Sequence, residues 1–163
     1  MTPPSIETKS VLFVCLGNIC RSPTGEAVLV HHVAEQGLEN QILVDSAGTI
    51  GYHEGKRADS RMMKHAARRG YDLTSRSRKI TPADFQRFDL IIAMDQQNRS
   101  DIAAIDPSAN HVRMLSDFLD DDWPRDVPDP YYGGAAGFET VLDMIEAACP
   151  KILEEVSQLD AGE

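Results

Sequence analysis

The sequence predicts an α/β fold in three layers, a four-stranded parallel sheet with helices on both faces. Three observations carry that prediction. Short apolar runs alternate with longer helical patterns along the 163 residues. Two of the runs, Val11 to Leu16 and Leu90 to Met94, hold no charge, as strands buried on both faces do. No internal repeat or low-complexity linker interrupts the alternation, and strands separated by helices pair in parallel through crossovers. The length suits one domain over residues 1–163, with 1–9 expected as a flexible N-terminal segment.

The elements follow in order. Ser10 to Leu16, rich in β-branched and aromatic residues, is the first buried strand. Ser22-Pro23-Thr24-Gly25-Glu26 reads as a helix start, with Ser22 as N-cap and Pro23 at the first helical position. Ala27, Val30, Val33 and Ala34 give that helix an apolar stripe, and Gly37 stops it. Gln41 to Asp45 is the second strand, closed by Ser46-Ala47-Gly48. Asp59 to Arg69 is a helix ended by Gly70, and Thr81-Pro82-Ala83-Asp84 caps a short one. Asp89 to Met94 is the third strand, Asp95 to Ile105 a helix before Pro107, and His111 to Leu115 a weaker fourth strand. A loop rich in Asp and Pro spans about 116–137. The last helix carries Phe138, Val141, Leu142, Ile145, Ile152, Leu153 and Val156 on its apolar face, and Pro150 is expected to kink it.

Composition narrows the function. Sixteen basic against 26 acidic side chains leave a net charge of −10, which argues against a nucleic-acid binder or docking on anionic lipid. Any phosphate must be held by a local positive site within a negative whole. The longest apolar run, Val11 to Leu16, is far short of the roughly 20 residues a membrane helix needs. The N-terminus lacks the basic and apolar regions of a signal peptide, so the reading is cytoplasmic. The three cysteines, Cys15, Cys20 and Cys149, show no zinc spacing and fit a reducing compartment. No metal or cofactor is expected: Asp120-Asp121-Asp122 lacks the ligand pattern of a calcium loop, and His31-His32 cannot share a helix face. His53, His65 and His111 show no partner in the sequence, and Cys149 reads as packing.

The segment Cys15-Leu16-Gly17-Asn18-Ile19-Cys20-Arg21-Ser22-Pro23 carries the chemistry. A thiol leaves a buried strand, five residues follow, and Arg and Ser open a helix. Backbone N–H groups wrapped before a helix N-terminus bind an anion, and Gly17 and Asn18 can take the unusual φ such a loop needs. The same groups favour a thiolate on Cys15. Arg21 offers a planar fork for two phosphoryl oxygens, Ser22 a hydroxyl for the sulfur, and Asn18 an internal brace. A Walker loop is excluded because no Gly-Lys-Ser/Thr follows, and the glycines at 17 and 25 do not fit a dinucleotide fingerprint.

This segment resembles the phosphate loop of the low-molecular-weight protein tyrosine phosphatases. The resemblance continues in Asp45-Ser46-Ala47-Gly48-Thr49, in Ala93-Met94-Asp95 with Asn98, and in Val127-Pro128-Asp129-Pro130-Tyr131-Tyr132-Gly133. It covers about 11–159 and implies strand order 2-1-3-4. It implies Cys15 as nucleophile, Arg21 as phosphate clamp and Asp129 as general acid, within a phosphate loop of Leu16, Gly17, Asn18, Ile19, Cys20 and Ser22. Ser46 would support the loop, and Tyr52, Tyr131 and Tyr132 would flank an aromatic substrate ring. The implied partners are tyrosine-phosphorylated proteins, a tyrosine kinase among them. One departure stands out: members commonly carry His where this chain has Ser75, so the bracing of the loop is expected to be weaker or rearranged.

Two other classes compete. A thiol-dependent arsenate reductase would need resolving cysteines, for which only Cys20 and the remote Cys149 are available, and would leave the Asp-Pro-Tyr-Tyr segment unexplained. A phosphoprotein-binding module would not need Cys15, Arg21 and Asp129 together.

Overall fold

The computed structural model describes residues 8–131 and 134–159. The first strand, β1 (Lys9–Cys15), is flanked by β2 (Ile42–Gly48) and β3 (Leu90–Ala93), and β3 carries β4 (Val112–Met114) at the far edge. The order is β2-β1-β3-β4 and every pairing is parallel. The expected sheet is therefore present. Lys9, expected within the flexible segment, already pairs with Ile42.

Alternation along β1 explains why the strand looked apolar throughout. Val11, Phe13 and Cys15 pack on one side of the sheet, and Leu12 and Val14 on the other. The first side is covered by α1 (Arg21–Glu35), α2 (Ser60–Ala67) and α5 (Ala135–Ser157). On the second side, α3 (Asp84–Arg87) contributes Phe85 and α4 (Gln96–Ile105) contributes Ile102. Burial of each large side chain in these layers stabilises the fold by about 1.5–3 kcal/mol. Close packing extends to Gly25 of α1, where an added Cβ would sit 2.6 Å from the Phe13 ring.

Two local expectations change. The first helix begins at Arg21, with Cys20 at the N-cap and no side-chain cap, so Ser22 is inside the helix. Its hydroxyl is used elsewhere, in the site described below. The second strand continues to Gly48, because Phe13, Val14 and Cys15 give Ser46, Ala47 and Gly48 a full set of partners. Helix α5 spans Ala135–Ser157 and contains Pro150, which is exposed. Asp59 caps α2 through the backbone N–H groups of Arg61 and Met62, and Asp95 caps α4 in a reciprocal box with Asn98. Such caps are worth about 1 kcal/mol each.

Candidate active site

Strand β1 ends at Cys15 and α1 begins at Arg21, so residues 16–20 must turn within one tight loop at the carboxyl edge of the sheet. In open parallel sheets that edge, where the strand order reverses, is where ligands bind. The turn passes through Asn18 at φ 58°, a left-handed conformation that Asn tolerates better than most residues. Gly17 has no such φ; what its missing side chain provides is room, since a Cβ there would lie 2.9 Å from the His53 ring.

The loop is held from outside by its carbonyls. Cys15 O accepts from Thr49 N, Leu16 O from Ile50 N and Ile19 O from Asp59 N, at 2.9, 3.1 and 2.8 Å. Gly17 O accepts from the Ser77 hydroxyl at 2.9 Å. Among the described residues, the amides of Gly17, Asn18, Ile19 and Cys20 donate to no protein acceptor. A run of unsatisfied N–H groups at a helix start is an anion site. The motif Asp45 to Thr49 gains its meaning here too: a Cβ on Gly48 would sit 2.7 Å from Leu16 O, so only glycine lets β2 lie against the loop.

Cys15 is buried and its sulfur lies 3.0 Å from Ser22 Oγ, with Ser22 N donating to it at 3.4 Å. Asn18 holds the Ser22 hydroxyl in place. Its Nδ2 donates to Ser22 Oγ at 2.7 Å and to Ser46 Oγ at 3.0 Å, while its Oδ1 accepts from Arg78 N at 3.0 Å. With its oxygen occupied by an amide hydrogen, Asn18 offers only N–H groups to the serines, so the Ser22 proton has two acceptors within reach, the Cys15 sulfur at 3.0 Å and Ala47 O at 3.3 Å. Ser46 in turn donates to Glu26 Oε1 at 2.6 Å.

Arg21 is also buried. Its Nη1 donates to Asp95 Oδ2 at 2.6 Å and to Val127 O at 3.0 Å, and its Nη2 stands 3.7 Å from Asp129 Oδ2. Burial works against its charge, but the thiolate form of Cys15 and the carboxylate of Asp95 outweigh that and raise its affinity for the proton. Asp129 is part-exposed and accepts from Tyr131 N at 3.1 Å. Burial, with Asp59 beside it, pushes the Cys20 thiol far above its usual range.

These residues enclose a cleft of about 260 Å³, with Cys15, Leu16, Gly17, Ile19, Cys20 and Arg21 on one side and Ile50, Tyr52, His53, Asp129 and Tyr131 on the other. All the expected site residues from Cys15 to Ser22 are thus brought together, with Ser46 behind them. Tyr52 is 78 % exposed and stands edge-on to His53, with ring centroids 4.8 Å apart. Tyr132 lies outside the described residues.

Sequence reasoning missed several participants. His53, which showed no partner, lines the cleft between Tyr52 and Tyr131. Asp95 was visible only within a motif; its double use, capping α4 and holding Arg21, needed the fold. The loop is braced by the Ser77 hydroxyl and the Arg78 amide, and Ser75 makes no hydrogen bond to it. His65 meets Glu139 and stacks on Phe138, which makes it a link between α2 and α5.

The fold and the site define a class: an α/β protein that holds a thiol, a buried arginine and anion-ready amides in one loop opposite a carboxylate. Residues 10–161 match the family model of the low molecular weight phosphotyrosine protein phosphatases. The chain is 42 % identical over 160 residues to a low molecular weight protein-tyrosine-phosphatase of Streptomyces coelicolor, covering 95 % of this chain and 98 % of that one. It is 39 % identical over 151 residues to the human low molecular weight phosphotyrosine protein phosphatase, covering 91 % and 96 %. The crystal structure of a protein tyrosine phosphatase from Entamoeba histolytica superposes with a TM-score of 0.88 at 41 % identity, covering 93 % and 98 %. The chain belongs to the low molecular weight protein tyrosine phosphatase family, a family of enzymes.

Proposed function

We propose that this protein hydrolyses phosphotyrosine in proteins through a phosphocysteine intermediate. The observation that carries the reading is the placement of the Cys15 sulfur on the Ser22 hydroxyl and amide, with Arg21 and Asp129 in the same cleft. The thiolate attacks phosphorus in line, and Arg21 with the loop amides takes the charge on the equatorial oxygens. Asp129 gives its proton to the leaving phenolic oxygen, then accepts one from the water that cleaves the S–P bond. Tyr52 and Tyr131 flank the ring, so the substrates are tyrosine-phosphorylated proteins, a tyrosine kinase among them. The setting is the cytoplasm, where the thiols stay reduced; no helix among the described residues is long and apolar enough to cross a membrane.

The decisive test is turnover of para-nitrophenyl phosphate and of a phosphotyrosyl peptide in the presence of a metal chelator. Activity is expected with both; dependence on added metal, or none with the peptide, would overturn the reading. The arsenate-reductase alternative loses support from Cys149, which is wholly buried in α5.

Cys20 supplies a protective device for the same thiol. Peroxide oxidises the Cys15 thiolate to a sulfenic acid; the Cys20 thiol displaces water from it and closes a disulfide, which dithiothreitol reduces. Peroxide-treated Cys20→Ser should recover less activity than the parent. Equal recovery would remove this role.

A further inference from the structure

A second cavity lies behind the phosphate loop, away from the cleft. It measures about 220 Å³, and α1 supplies Pro23, Glu26, Ala27, Val30 and His31 to its wall. The chain after α2 closes it with Gly70, Tyr71, Asp72, Thr74 and Ser75.

Glu26 makes this cavity chemically distinctive. It is part-buried, and burial is the main reason that its carboxyl is raised to about 6. Its hydrogen-bond partner is the Ser46 hydroxyl, and no basic group forms an ion pair with it among the described residues. The charged groups around it do not supply that missing cation. Arg78, the basic group that acts on it, is committed to Asp45 and Asp84, and Asp45 itself opposes Glu26 ionisation. His31 is turned to Glu35, and Asp72 adds a second carboxylate to the wall. Tyr71 uses its hydroxyl on Glu146, and its ring stands edge-on to His31 at 5.3 Å. The cavity therefore combines acidic groups, two rings and the apolar side chains of Pro23, Ala27 and Val30.

The same carboxylate is one end of a hydrogen-bond chain whose other end is the candidate nucleophile. Glu26 meets Ser46, Ser46 meets Asn18, Asn18 meets Ser22, and Ser22 meets the Cys15 sulfur, at 2.6, 3.0, 2.7 and 3.0 Å. We propose that this cavity is an effector site for a small planar organic cation, paired with Glu26 and sensed at Cys15 through Ser46, Asn18 and Ser22. The regulatory meaning rests on the phosphatase reading above; the site and its coupling to the thiol do not. A cation beside Glu26 offsets the negative charge at the far end of the chain and so favours the Cys15 thiolate and anions in the loop. By linkage, an anion bound in the loop strengthens cation binding by the same factor that the cation strengthens anion binding.

The test uses the full chain and benzamidinium chloride, a planar cation with one ring. Binding is followed by calorimetry, and the rate of Cys15 alkylation by iodoacetamide is followed by mass spectrometry, neither of which requires phosphatase turnover. Saturable binding is expected, with Cys15 alkylation faster by about fivefold, the low end of typical couplings between sites. Inorganic phosphate should strengthen binding. Glu26→Gln should abolish it, and so should Ser75→Phe, which fills the cavity and leaves basal turnover unchanged. No saturable binding, binding that survives Ser75→Phe, or competition by phosphate would overturn the site. Binding without a change in Cys15 alkylation would overturn the coupling. If para-nitrophenyl phosphate is not hydrolysed while these binding results hold, the phosphatase reading fails and the effector site stands.

Discussion

The segment that carries Cys15 and the segment that carries Asp129 face each other across one cleft, and they are held in opposite ways. Residues 17–22 are almost wholly enclosed, and three neighbouring segments, at residues 49–50, 59 and 77, donate to the carbonyls of residues 15–19. Over residues 126–131, only Val127 and Pro130 are buried. Contacts from outside hold that segment at points along it: Gln96 N donates to Asp126 Oδ1, Val127 N donates to Met94 O, Arg21 donates to Val127 O, and Arg61 donates to Tyr131 O. The difference is physical. An anion site must be assembled before the substrate arrives, because its stabilisation comes from dipoles already in place. The proton donor proposed for Asp129 needs only to reach one oxygen, so a part-exposed loop with a buried anchor is sufficient for that role.

The sharpest way to break this comparison is at the enclosed end. Cys15→Ser should lower turnover by a factor on the order of 10⁶, the scale seen when a covalent nucleophile is lost. Vanadate should still bind in part, since the loop amides remain. Full activity in this variant, measured with para-nitrophenyl phosphate, would remove the covalent mechanism.

At the other end, Asp129→Ala should slow phosphotyrosine hydrolysis by about 10²–10⁴, and slow an acidic nitrophenyl leaving group less. The alkaline limb of the pH–rate profile should flatten with it. Asp126 accepts from Gln96 N at the head of α4 and does not line the cleft, so Asp126→Ala should show no leaving-group dependence. If Asp126→Ala showed it instead, the acid would have been placed on the wrong residue.

A smaller effect separates anchoring from chemistry. Arg61 is paired with Asp59 at 2.8 Å, donates to Tyr131 O at 3.0 Å, and stands over the Tyr131 ring at 5.4 Å. Removing one such hydrogen bond should cost about fivefold in kcat/KM through a less well placed Asp129 segment. Arg61→Ala should therefore show the same leaving-group trend as Asp129→Ala, in miniature. An equal loss with both leaving groups would assign Arg61 to substrate binding alone.

The smallest effect is on stability. Glu26 binds its proton more tightly in the folded chain, at about 6 against 4.5. Below pH 4.5 both states are protonated and nothing is gained or lost. As pH rises through 4.5 to 6 the unfolded chain releases its proton first, so stability falls, and the loss is complete above 6. Glu26→Gln keeps an acceptor for Ser46 and removes this cost. It should be more stable than the parent by up to about 2 kcal/mol at pH 7.5 and nearly equal at pH 4. Urea melts at the two pH values check this; a stabilisation independent of pH would contradict it.

The sequence by itself determined the sheet, the strand–loop–helix setting of Cys15 and the loop that presents Asp129. Strand β1 is apolar on both faces and Pro23 marks a helix start, and such local patterns survive in one dimension. What it could not determine was who supports whom across the chain. Ser22 looked like a helix cap because nothing local revealed the sulfur its hydroxyl would meet. Ser75 drew attention as the bracing position, yet the loop is met two and three residues later by Ser77 and Arg78. His53, Asp95 and Glu26 entered the site or its support only when β2, α4 and α1 were brought against the loop. Periodicity records which way a side chain points along its own element; the partner it finds, often more than 20 residues away, is decided by packing.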